Sequence, residues 1–68
     1  MSKLTELEKD ILICLGVVGI TDIDDLSDLL GVSERAAQGA LHKLDDNGYV
    51  IMRNGWYRLS EAYKAGKI

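Results

Sequence analysis

Asn54-Gly55 lies between two short runs, Tyr49-Val50-Ile51-Met52-Arg53 and Trp56-Tyr57-Arg58-Leu59, both rich in β-branched, aromatic and apolar side chains. A two-residue connection of this kind closes as a type I′ turn, which needs positive φ at both central residues, and Asn-Gly meets that need readily. The stretch 49–59 is therefore predicted to be a β-hairpin. A lone hairpin is marginal in water and must be supported by other elements. The residues before it have to supply a core. With 68 residues, no proline and one cysteine, there is room for one domain, 1–68, held by packing alone. Neither a disulfide framework nor a structural zinc site can be built from this composition.

Three helices are predicted upstream. Thr5-Glu6-Leu7-Glu8 fits a capping box. Behind it Leu7, Ile11, Cys14, Leu15 and Val18 recur at spacings of three and four, giving an apolar face to a helix running to about Val17. Gly16 and Gly19 are expected to end it, and Ile20-Thr21-Asp22-Ile23 reads as a short extended link. A second helix is predicted over Asp24–Leu30, capped by Thr21 or Asp22 and closed by Gly31, with Leu26, Leu29 and Leu30 inward. Ser33 then caps a third helix only two residues later, so 24–46 reads as a tight helix-turn-helix. Its buried stripe is Ala37, Ala40, Leu41 and Leu44, and Asn47-Gly48 ends it. After the hairpin Ser60 caps a final short helix, Glu61 to about Ala65. The expected class is α+β.

Charge divides the chain. The net charge is −3 and the isoelectric point about 4.9, unlike the strongly basic balance of many nucleic-acid binders. Residues 1–32 carry two basic against seven acidic side chains, a balance of −5, whereas residues 33–68 carry six against four, a balance of +2. The C-terminal half is the side able to face a polyanion. The N-terminus lacks the basic region and apolar run of a signal peptide. The run Ile11–Ile20 is too short to span a bilayer, so the expected location is cytoplasmic, with no membrane partner.

The run Asp25-Leu26-Ser27-Asp28-Leu29-Leu30-Gly31-Val32-Ser33, with Ala37, Leu41, Leu44 and Asn47-Gly48-Tyr49-Val50, resembles MarR-type and ArsR-type transcription regulators over about residues 22–59. Leu59-Ser60-Glu61 adds to it, since such regulators often read Leu-Thr-Glu there. The resemblance implies a winged helix-turn-helix: a three-helix bundle, a two-stranded hairpin wing and a short C-terminal helix. It also implies sequence-specific binding of double-stranded DNA, with helix 33–46 in the major groove and wing 53–56 on the backbone or minor groove. Carried over position by position, the DNA-facing residues are Ser33, Glu34, Arg35, Gln38, Gly39, His42 and Lys43 on the helix, and Arg53, Asn54, Gly55 and Trp56 at the wing tip.

The chemistry of these side chains suits that assignment. With Ala37, Leu41 and Leu44 buried, Arg35, Gln38, Gly39 and His42 fall on the opposite face. Arginine can take guanine O6 and N7 bidentately and glutamine can take adenine N6 and N7. Lys43, Arg53 and Arg58 are expected to meet phosphates, and Ser33 with the first N–H groups of its helix can hold another. Gly39 stands where these regulators commonly carry arginine or another polar residue. It costs about 1 kcal/mol of helix propensity relative to alanine. A close approach of DNA, or of a neighbouring element, are the two readings of it.

Other features have plainer readings. Cys14 is expected in the core. Tyr49, Tyr57 and Tyr63 read as packing residues. Trp56 can serve either the wing or the core, and His42 either DNA or solvent. No nucleophile pair, Gly-rich phosphate loop or metal-ligand spacing is present, so neither an enzyme nor a cofactor or metal site is expected. A homodimer would have to use the first helix or the segment Glu61–Ile68, with Tyr63 and Ile68 as apolar candidates. The alternative function is a winged-helix protein-interaction module within a larger complex, which the net acidity favours.

Overall fold

The computed structural model describes residues 4–66. Along the chain the elements are α1 (Glu6–Val18), β1 (Ile20–Asp22), α2 (Ile23–Leu30), α3 (Glu34–Asp46), β2 (Val50–Arg53), β3 (Trp56–Leu59) and α4 (Glu61–Lys64). A side-chain oxygen opens every helix. Thr5 Oγ1 accepts from the Glu8 N–H at 3.1 Å while the Glu8 carboxylate accepts from the Thr5 N–H at 2.7 Å, so the capping box is complete. Asp22, not Thr21, caps α2, accepting from the Asp25 N–H at 2.9 Å. Ser33 caps α3 through the Ala36 N–H at 3.1 Å. Such caps each contribute about 1 kcal/mol.

Gly31 closes α2 in the left-handed conformation at φ 68°, leaving only Val32 and Ser33 before α3. The hairpin turn is as expected: Asn54 and Gly55 have φ of 51° and 81°, the positive pair that type I′ requires. These elements form a winged helix-turn-helix of the α+β class.

The predicted link at Ile20–Ile23 is corrected. Ile20–Asp22 forms a third strand, and Ile23 already belongs to α2. The sheet is antiparallel in the order β1-β3-β2, with Ile20, Arg58 and Ile51 in one cross-strand row and Asp22, Trp56 and Arg53 in the next. A two-stranded wing would leave one edge of β3 unpaired. Here β1 satisfies that edge and ties the wing to α1 and α2.

One face of the sheet is buried, through Thr21, Tyr57, Leu59 and Val50. It closes over Ile11, Leu12 and Leu15 of α1, Leu26 of α2, and Leu41 and Leu44 of α3. Ser60 fastens the far end: its hydroxyl donates to the Gly48 carbonyl at 2.6 Å and accepts from the Tyr63 N–H at 3.1 Å, starting α4. Tyr63 packs edge-to-face on Tyr49 at 5.6 Å between ring centroids.

Two inward assignments change. On α1 the buried side chains are Glu8, Ile11, Leu12 and Leu15, while Cys14 is half-buried and Val18 is exposed. The buried face is thus turned toward Leu12, because the apolar arc of this helix is wider than its contact with α3 and the sheet. Gly16 lies inside α1 and does not end it; Gly19 does. On α2, Ile23, Leu26, Ser27 and Leu30 share one face. Leu29 falls about 100° away from its neighbour Leu30 around the helix and is 61% exposed.

Candidate nucleic-acid interface

Ala37, Leu41 and Leu44 are fully buried, and that anchors the rotation of α3. Its other side is therefore fixed as well: Glu34, Arg35, Gln38, Gly39, His42 and Lys43 are all exposed. Arg35, Gly39 and Lys43 repeat every four residues along one stripe and line a shallow groove against Thr5, Leu7 and Glu8. Gln38 and His42, also four apart, form the next stripe. Lys43 stands in the last part of α3, where the helix dipole favours a cation. Among the described residues neither Arg35, Lys43 nor Arg53 is in an ion pair. All three remain available to phosphate or base.

Glu34 belongs to different surroundings. It lines a recess with Asp24, Asp25 and Asp28 between α2 and the start of α3. A hydrogen bond with the Asp24 carboxyl, then the charge of Asp24, raises its pKa above the ordinary glutamate value. The folded-state pKa exceeds the unfolded one, so this pair favours folding at acid pH, and the contribution is lost as pH rises through the raised value. Ser33 Oγ is engaged by the Ala36 N–H, which leaves its own proton free to donate.

The wing residues form a third surface. Arg53, Asn54, Trp56 and Arg58 line a cleft of about 220 Å³ on the outer face of the sheet, together with Ile20 and Ile51. Gly55 is exposed at the turn beside it. Trp56 is 47% exposed, so it does not anchor the hairpin to the core. Arg58 sits between Ile20 and Ile51 in mid-sheet, away from the tip, and its guanidinium lies 3.6 Å from the Glu61 carboxylate. The twelve predicted residues thus divide among the α3 face, the acidic recess and the sheet cleft. Ile20 and Ile51 were missed as cleft residues. No local signal marks Ile20, because it reaches the cleft only through pairing with β3.

Gly39 has open space beside it. A Cβ built there meets no atom within 4 Å, so no neighbouring element of the described chain demands glycine. Replacing Gly39 with alanine is expected to stabilise the domain by about 0.5–1 kcal/mol, raising the melting temperature by several degrees. Thermal denaturation followed by circular dichroism measures this directly; a lower melting temperature would show that the α3 backbone is under constraints not visible in its contacts.

For self-association, Tyr63 of the C-terminal segment is half-buried against Tyr49, and Ile68 lies outside the described residues. Among the described residues no helix is long and apolar enough to cross a membrane.

No protein-family model matches the chain, and no curated protein matches it. Among solved structures it is similar to the crystal structure of ligand-free NadR, with a TM-score of 0.78 at 22% identity over 93% of this chain. The match covers 52% of the NadR chain, so the protein spans about half of that neighbour's length. At this identity the likeness establishes the winged-helix fold.

Proposed function

We propose that this protein binds double-stranded DNA sequence-specifically, as a small cytoplasmic transcription regulator of MarR or ArsR type. In this reading α3 enters the major groove and the Asn54-Gly55 tip lies against the backbone or minor groove. One observation carries it. The second helix of a helix-turn-helix exposes Arg35, Gln38, His42 and Lys43 opposite a fully buried face, with neither cation spent on an ion pair. The likeness to NadR is one of fold, which is compatible with this reading.

Arg35 and Gln38 are the base readers, and Lys43, Arg53 and the α3 N-terminus hold phosphates. Arg58 is a weaker candidate than its charge suggests, given its pairing with Glu61 and its place in mid-sheet. The role is one of binding, with no cofactor. A homodimer on DNA would present two copies of α3 to half-sites about one helical turn apart.

Fluorescence anisotropy with duplex DNA tests the reading. Binding is expected at micromolar or lower concentration in low salt and is expected to weaken steeply as salt is added. No binding to any duplex at low salt would refute it. The acidic recess of Asp24, Asp25, Asp28 and Glu34 at the head of α3 favours a second reading, a protein-interaction module. Under that reading a partner carrying basic residues is captured even after nuclease treatment.

A further inference from the structure

Six large apolar side chains are exposed among the described residues: Ile13, Val17, Val18, Ile20, Leu29 and Trp56. They gather in two places. Ile13, Val17, Val18 and Leu29 surround a shallow groove between α1 and α2 whose one charged lining residue is Asp10. Ile20 and Trp56 line the sheet cleft with Ile51, where the charged residues are Arg53 and Arg58. The two surfaces share no lining residue and involve none of α3.

Their charges are complementary. The first lies in the half of the chain with a balance of −5, and the cleft is lined largely from the half with +2. Val17, 81% exposed, and Ile13 one turn before it line the first groove, and apolar side chains flanked by two guanidiniums line the sheet cleft. Pairing like with like fails on charge, since groove on groove opposes two Asp10 carboxylates and cleft on cleft opposes two pairs of guanidiniums. Pairing unlike surfaces buries all six apolar side chains and brings opposite charges together.

We propose that the chain self-associates by placing the exposed Ile13 and Val17 side chains of one copy against the Ile20–Ile51–Trp56 cleft of a second, with Asp10 of the first facing Arg58 of the second. Each surface is a small apolar patch, below the usual contribution of about 800 Å² per partner in a stable complex. The contact is accordingly weak and concentration-dependent. It would gain effect when DNA holds several copies close together. It leaves α3 free but covers Arg53, Asn54, Trp56 and Arg58, so a copy whose cleft is filled meets DNA through α3 and not through its wing.

Sedimentation without DNA tests the proposal independently of the DNA-binding reading. The wild-type protein is expected to exceed the 7.5 kDa monomer mass at high concentration and to approach it as salt screens the charged rims. Asp10→Arg alone and Arg58→Glu alone are each expected to be monomeric where the wild type associates. An equimolar mixture of the two is expected to associate again, because each variant then offers the charge the other lacks. Far-UV circular dichroism checks the fold of both. Val17→Asp, at a side chain that contributes little to the core, is expected to be folded and monomeric. A wild type that remains monomeric throughout overturns the proposal. So does a mixture that fails to associate, or an Asp10→Arg variant that associates as strongly as the wild type.

Discussion

Replacing Leu41 with alanine is expected to lower the unfolding free energy by about 2–5 kcal/mol, the range for a large-to-small change in a packed core. Leu41 is fully buried on α3, within a core to which all three longer helices and the sheet contribute. The loss combines the transfer energy of the removed methyl groups with a cavity that its neighbours cannot fill. A domain of this length has a total stability of only about 3–10 kcal/mol. The variant should therefore lose a large share of its stability. Urea denaturation followed by circular dichroism measures the effect, and a loss under about 1 kcal/mol would contradict the described position of α3. Because α3 is also the proposed reading helix, DNA binding in this variant should weaken in step with the loss of folded protein.

Arg35 and Lys43 are expected to separate binding from stability. Both are exposed and unpaired among the described residues, so truncating either should leave stability within about 0.5 kcal/mol. Arg35→Ala is expected to cost about 1–3 kcal/mol at the preferred site, roughly 5- to 150-fold in affinity, and to relax discrimination at one base pair. Lys43→Ala should weaken binding uniformly across sequences and reduce the slope of log K against log salt by about 0.9. The double variant should show both effects. Anisotropy titrations at several salt concentrations distinguish them. A double variant that retains wild-type affinity and salt slope would remove α3 from the interface.

Much of this architecture is legible in short stretches of sequence because the chemistry that sets it is local. Thr5, Ser33 and Ser60 cap the helices whose starts they mark, and Asn54-Gly55 makes the turn its backbone preferences demand. What depended on distant partners was harder to see. Ile20–Asp22 is too short for a periodic signal and becomes a strand by pairing with Trp56–Arg58, far along the chain. The apolar arc of α1 offers more side chains than the core can accept, so only tertiary contact selects Leu12 over Val18. Leu29 has the composition of a core residue but the wrong angle on α2. The candidate site follows the same division. The exposed face of α3 follows from Ala37, Leu41 and Leu44. The separation of Glu34 and Arg58 from that face rests on Asp24 in one case and on the third strand in the other.

The most direct test of DNA binding by α3 is an NMR titration of the isotope-labelled protein with duplex DNA in low salt, following every backbone amide. The expected result is a set of shifts confined to Ser33–Lys43 and Arg53–Gly55, with Ile13 and Leu29 unmoved at DNA concentrations where single copies bind. Shifts absent from α3, or centred on the acidic recess of Asp24, Asp25 and Asp28, would contradict the assignment.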